Sequence, residues 1–215
     1  KNHTLKTDYT NNQKELIKNH VNYIINFIDY YNETNKNKKS ETLIQKEVLE
    51  IIEKLRVNEN PNEYIFIYDF NGNLIQDAIA KKDNIGHNYL NIKDIKGKEV
   101  VKELITTSKR NLGGYVEYVW LKPEISKQTT KISYALSYNK WNWTIGKGVY
   151  LDEIDKLIKE KEEDYNQKIS NYTLQITSLT IMLVLYSIFI YKNATILIVN
   201  DVKEIGKYFK ESQKN

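Results

Sequence analysis

Cysteine is absent from the 215 residues, which removes any disulfide framework, thiolate metal site or cysteine nucleophile. Only 2 prolines and 8 glycines occur, which excludes collagen-like and proline-rich linker classes. Charge of one sign is also missing: 32 Lys+Arg against 28 Asp+Glu leave a formal net charge of +4, and the two signs are interleaved along nearly the whole chain. A nucleic-acid footprint gathers basic residues on one segment or face, so no nucleic-acid partner is expected. What the chain has in quantity is ring surface. Its 12% aromatic residues, dominated by 17 Tyr, are too many for a disordered chain.

Catalytic groupings are missing as well. His3, His20 and His87 lie far apart, with no carboxylate or hydroxyl at a diagnostic spacing, and no nucleophile elbow or phosphate-cradling loop occurs. Without an acid, base and nucleophile set, no catalytic residue is assigned and an exported enzyme is not expected. Gly146-Lys147-Gly148 is too short for a phosphate loop and continues a strand pattern. Asp69, Asn71 and Asn73 alternate like the start of a calcium loop, but the glycine falls at Gly72 and no closing Glu follows. A tight turn explains these residues, and neither a metal nor a cofactor is called for.

One long hydrophobic run is present. No charged residue lies between Lys168 and Lys192, and Leu174 to Tyr191 reads LQITSLTIMLVLYSIFIY. At 1.5 Å per residue, roughly 20 such residues match the hydrocarbon thickness of a bilayer, so a transmembrane helix is predicted over 171–192. Lys192, Lys203, Lys207 and Lys210 follow it, whereas Glu162, Glu163 and Asp164 precede it. The positive-inside rule then puts the C-terminus in the cytoplasm and residues 1 to about 168 outside, across the cytoplasmic membrane. The first residue is Lys1 rather than Met, and a further membrane helix is expected upstream of it.

Helices flank a central region. Ile17, Val21, Ile24, Ile28 and Tyr31 step by four and three, with Leu16, His20, Tyr23, Phe27 and Tyr30 beside them. This wide apolar face can cover a sheet and also meet a second copy of itself, so a homodimer is expected. Ser40 suits the N-cap of a second helix carrying Ile44, Val48, Ile51 and Leu55, and Pro61 closes that region. Beyond the span, Ile198, Val202, Ile205 and Phe209 suggest the start of a paired cytoplasmic helix.

Between these helices, Tyr64 to Phe70 is a β-branched and aromatic run, followed by Asn71-Gly72 and Leu74-Ile75, a strong hairpin signal. A helix is predicted from about Gly97 to Arg110, then strands over Tyr115–Leu121, Lys131–Tyr138 and Trp143–Tyr150. The fold class is therefore α+β: a PAS-like five-stranded antiparallel sheet with long N-terminal helices, followed by a C-terminal transmembrane helix.

Six pieces of this region occur in a familiar order: Tyr64 to Asn73, Gly86 to Leu90, Asp94 with Gly97-Lys98, Gly113 to Trp120 with Lys122-Pro123, Lys131 to Tyr134, and Trp141 to Asp152. Over roughly residues 10 to 160 they closely resemble the single Cache domain family of bacterial extracytoplasmic sensors. The sequence departs from that family at Ile79-Ala80-Lys81, where a His-Pro pair is common, and at Lys147, where a small residue is usual. The resemblance implies a division into helical region 1–60, sensor sheet 61–152, membrane-proximal helix 153–170, transmembrane helix 171–192 and cytoplasmic linker 193–215. It also implies a small-molecule pocket between one face of the sheet and residues about 76 to 110.

Phe66, Tyr68, Tyr118, Trp120 and Tyr134 are the aromatic candidates for that pocket, because hydroxyls and an indole N–H suit a polar cavity better than a dry helix-facing surface. Which sheet face lines the pocket stays open, and the core is the alternative for each ring. His87 and Lys131 are the candidate donors for a C2–C4 carboxylate; the alternatives are a surface turn for His87 and a solvated strand start for Lys131. Trp141 and Trp143 are read as structural. The expected function is ligand sensing by a transmembrane receptor with a kinase, cyclase or chemotaxis output. A membrane-anchored dimerisation module without a ligand is the alternative.

Overall fold

The computed structural model describes residues 2–54, 62, 64–77 and 84–212. Leu55, Pro61 and Ile79 to Lys81 lie outside the described residues. Two compact units are distinguished, residues 1–159 and 160–215.

In the first unit, helix α1 runs Asn2–Asn35 and helix α2 runs Glu41–Lys54. Ser40 starts α2 as its composition suggests: its Oγ accepts the Leu43 amide at 3.4 Å, and its carbonyl accepts the Ile44 amide. Strands β1 (Ile65–Asp69) and β2 (Leu74–Asp77) form the first hairpin. The Asp69 carboxylate closes the turn by accepting the amides of Asn71 at 2.9 Å and Asn73 at 2.8 Å and the Asn73 Nδ2 at 2.7 Å. Gly72 sits there at φ +86, and a Cβ on it would stand 2.7 Å from that of Leu90. A turn thus accounts for the calcium-like alternation.

Helix α3 (Val100–Ser108) follows, then β3 (Gly114–Lys122), β4 (Lys127–Tyr138) and β5 (Trp143–Tyr150). The sheet is antiparallel throughout, in the order β2-β1-β5-β4-β3. β4 starts four residues before the strand read from sequence, because the polar stretch Lys127–Thr130 pairs with Val119–Lys122.

The sheet separates two cores, and the pleat decides which side chain enters which. Ile67, Trp143, Ile145 and Val149 face α1 and α2, packing with Ile17, Val21, Ile28, Ile44, Val48 and Ile52. Trp141 and Trp143 belong to this core, their rings edge to face at 4.8 Å. The opposite face gathers Tyr64, Phe66, Tyr68, Val116 and Tyr118 under Val100, Val101, Leu104 and Ile105 of α3. Buried side chains of this size each contribute about 1.5–3 kcal/mol by leaving water. α3 is fastened at its end by Ser108, whose Oγ lies 2.9 Å from Thr144 Oγ1, both residues being fully buried.

Helix α4 spans Leu151–Ser212. Its first turns join the α1-side core through Ile154. In the second unit it carries an 18-residue window of mean hydropathy 1.9 with none of it buried, the length and composition of a membrane crossing. Thr173, Thr177 and Thr180 each donate their hydroxyl 2.8 Å to the carbonyl four residues earlier, so these groups are satisfied within the helix.

Candidate functional site

Under α3, one cross-strand row organises the site. Tyr118 on β3, Lys131 on β4 and Tyr150 on β5 stand directly opposite one another. Lys131 is 0% exposed, and its Nζ lies 3.8 Å from the centroid of the Tyr64 ring, 4.9 Å from Tyr150 and 5.8 Å from Phe66. Ring faces attract a cation, but they do not replace the hydrogen bonds of an ammonium. Among the described residues, Nζ has no hydrogen-bond partner. Burial accordingly pulls the Lys131 ammonium down to about 7, against the opposing influence of the Asp77 and Glu153 carboxylates.

Two glycines make room for this arrangement. Gly146 and Gly148 point their missing side chains to the same face: a Cβ on Gly146 would run into the Phe66 ring, and one on Gly148 would meet Ser133 Oγ and stand 2.7 Å from Lys131 Cε. Lys147 between them turns the other way, its Nζ 2.9 Å from His20 Nδ1 on α1. The departure from a small residue at Lys147 therefore lies on the face away from Lys131.

A cavity of about 10 Å³, room for about one water, remains between the sheet and α3. Tyr64, Phe66 and Tyr68 of β1, Asp77 of β2, Tyr118 and Trp120 of β3, and Val100, Val101 and Leu104 of α3 line it. Lys131 touches the rings of this lining rather than the cavity itself. Tyr118 hydroxyl is 2.8 Å from Ser133 Oγ, so it is partnered inside the layer. Burial, followed by the Asp77 charge, raises the Tyr64 and Tyr68 phenols well above their usual range, and they stay neutral donors.

Tyr150 ends β5, and α4 begins at the next residue. Its hydroxyl donates to the Leu121 carbonyl at 2.8 Å, and its ring lies 5.7 Å from Lys122 Nζ. Lys122 is buried and reaches Asp152 at 2.9 Å and Glu153 at 3.3 Å in the first turn of α4. Burial works to lower the Lys122 ammonium, but these two carboxylates outweigh it and leave it raised.

Of the residues nominated from sequence, Phe66, Tyr68, Tyr118 and Trp120 line the cavity, and Lys131 contacts its walls. Two nominations are corrected. Tyr134 lies on the opposite face, three residues from Lys131 in a strand of period two; it packs in the α1-side core, and its hydroxyl donates to the Leu112 carbonyl at 2.5 Å. His87 is exposed, and its carbonyl, rather than its ring, has the structural task of accepting the Leu74 amide. Tyr64 and Asp77 line the same cavity, Ser133 meets the Tyr118 hydroxyl and Tyr150 stands opposite Lys131, and none of the four was nominated. Counting by twos from Lys131 along β4 yields Ser133, and the pairing of successive antiparallel strands brings Tyr150 opposite.

Known proteins share this architecture. The single Cache domain 2 family model matches residues 9–164. A sensor histidine kinase of Rhizobium johnstonii, MctS, is 41% identical over 91 residues, 42% of this chain and 19% of its own length. The methyl-accepting chemotaxis protein McpP of Pseudomonas putida is 31% identical over 111 residues, 51% of this chain and 20% of its own. The chain thus spans about a fifth of the length of these relatives. Among solved structures, a methyl-accepting chemotaxis protein of Vibrio parahaemolyticus superposes with a TM-score of 0.60 at 26% identity, covering 69% of this chain and 95% of that one. A Cache chemosensory domain described for its carboxylic acid recognition does so with a TM-score of 0.56 at 25% identity, covering 69% and 97%. With its five-stranded antiparallel sheet, long leading helices and a match over most of its length, this chain belongs to the single Cache domain 2 family of sensor domains.

Proposed function

We propose that this chain is the ligand-sensing and membrane-crossing part of a bacterial signalling receptor, and that its pocket takes a short organic acid of two to four carbons. The observation that carries this reading is the buried Lys131 Nζ, without a hydrogen-bond partner among the described residues, beside an aromatic cavity. A carboxylate is the guest that supplies the missing acceptor, and the rings offer an apolar wall for a short chain. The solved relative concerned with carboxylic acid recognition supports the same ligand class.

The cavity of about 10 Å³ admits one water, so an acid must part α3 from the sheet to enter. That opening biases Tyr150 and the first turn of α4, which relays the change inward to a histidine kinase, diguanylate cyclase or chemotaxis module. The sensor unit lies outside the cytoplasmic membrane and the chain end inside. Dimerisation uses the outward seam of α1, where Leu16, Tyr23 and Tyr30 recur every seven residues at 47%, 68% and 72% exposure.

The nearly filled cavity also suits the second reading, a dimerisation module with no ligand. Thermal unfolding of the full chain in detergent, with and without acetate, propionate, lactate, pyruvate or urea, separates the two. A guest bound only by the folded state raises the melting temperature with the logarithm of its concentration once that exceeds Kd. The acid reading predicts a rise with at least one acid and none with urea, whereas no shift with any acid favours the empty module.

A further inference from the structure

We propose that acid binding at Lys131 is coupled to uptake of a proton, so that the domain holds a carboxylate more weakly as the pH rises above neutrality. The inference rests on the reading of this pocket as an acid site and adds the protonation of the site itself.

The geometry is an amine with nowhere to hold a charge. Lys131 Nζ is fully buried and meets ring faces: Tyr64 and Phe66 from β1, Tyr150 from β5. Tyr118, opposite it on β3, has its hydroxyl engaged with Ser133. The charged groups that act on it, Asp77 at the end of β2 and Glu153 at the start of α4, do so through space without a hydrogen bond to Nζ. An ammonium in such a place has lost its water and gained only cation–π contacts, so burial draws the group down to about 7 and the neutral amine is the ground state in mildly alkaline solution.

A carboxylate changes that balance. It gives Nζ a charged acceptor, and an ammonium–carboxylate pair is favoured over an amine facing a carboxylate. The balanced step is amine plus carboxylate plus one proton from the buffer, giving the ion pair; no bond other than the new N–H forms. From a free group titrating near 7, about half a proton is taken up at pH 7 and about nine-tenths at pH 8, and affinity falls about tenfold per pH unit beyond that.

Two measurements on the full chain in detergent test this. Acetate is titrated calorimetrically at pH 6, 7, 8 and 9 in pairs of buffers with different ionisation heats. The expected result is a buffer-dependent heat corresponding to nearly one proton at pH 8, with affinity about tenfold lower at pH 9 than at pH 8. Acetate binding with buffer-independent heat and a flat affinity overturns the coupling while leaving the acid pocket intact. Independently, carbon-13 NMR of lysine Cε in the unliganded chain should show one signal titrating near pH 7 that is absent from Lys131→Met. A midpoint near 10 for every lysine overturns the coupling whether or not acetate binds. If the midpoint is near 7 but acetate fails to bind, the acid reading falls, and the proposed acetate coupling with it.

Discussion

Lys131 and Tyr150 stand directly opposite one another on β4 and β5, with the amine nitrogen 4.9 Å from the ring centroid, and Tyr150 is the residue that hands the sheet over to α4. The same ring lies 5.7 Å from Lys122, which pairs with Asp152 and Glu153 in the first turn of that helix. A guest that draws Lys131 Nζ away from Tyr150 therefore acts on a ring already tied to the foot of α4.

Tyr150→Phe should keep the ring and lose the bond to the Leu121 carbonyl. Stability should fall by about 0.5–1.5 kcal/mol in urea unfolding, with acetate affinity within about twofold of wild type. Lys122→Ala, which leaves Asp152 and Glu153 without their cation, should cost about 1–3 kcal/mol without weakening acetate. A large loss of affinity in either variant would move the binding site towards α4.

Gly148→Ala places a methyl group against Ser133 and the Lys131 stem. Overpacking of this kind costs about 1–3 kcal/mol, and the displaced amine should bind acetate poorly. Gly206→Ala, inside α4 with nothing within 4 Å, is the control: it should favour its helix by up to about 1 kcal/mol and leave binding as it is. Equal behaviour of the two variants would show that the cradle at Gly148 is unimportant.

Tyr134→Phe should remove the hydrogen bond to Leu112 and lower stability by about 1 kcal/mol while leaving acetate affinity unchanged. His87→Ala should change neither. Both outcomes are readable from one titration and one unfolding curve per variant, and a tenfold loss of affinity in either would return that residue to the pocket.

The unliganded domain should become more stable as the pH rises from about 7 towards 10. In this window the unfolded chain keeps the Lys131 proton, because its amine titrates in the ordinary range, while the folded chain releases it near 7. The unfolded state binds more protons, so stability increases with pH, by at most about 1.4 kcal/mol per pH unit. Trp120, Trp141 and Trp143 all lie in the first unit and report its unfolding by fluorescence. Lys131→Met should flatten the slope; an identical slope in the variant would assign it to other groups.

The strands, α3 and the long leading helix are legible in the sequence because their signals are local: Asn71-Gly72 for the hairpin, the four-and-three spacing from Ile17 to Tyr31, and the run of apolar residues in the second unit. The pocket face is a different matter. Period two makes Lys131 and Tyr134 incompatible partners, so choosing either one decides the face, but only the cover of α3 on one side and α1 on the other tells which. Gly146 and Gly148 read only as part of a strand, and the reason for two glycines there shows when the Phe66 ring and the Lys131 stem are seen lying over them. The extension of β4 through Lys127–Thr130 carries no apolar pattern, because its partners at the end of β3 are near the sheet margin.

Calorimetric titration of acetate into the full chain and into Lys131→Met at pH 6.5 shows whether the Lys131 ammonium anchors the acid. Removing a charged donor from a buried carboxylate costs about 1.5–3 kcal/mol, so wild type should bind acetate saturably and the variant roughly tenfold to a hundredfold more weakly, with urea inert towards both. Equal affinity in the two proteins, or no acid binding to the wild type, would contradict the account of Lys131 as the anchor of this site.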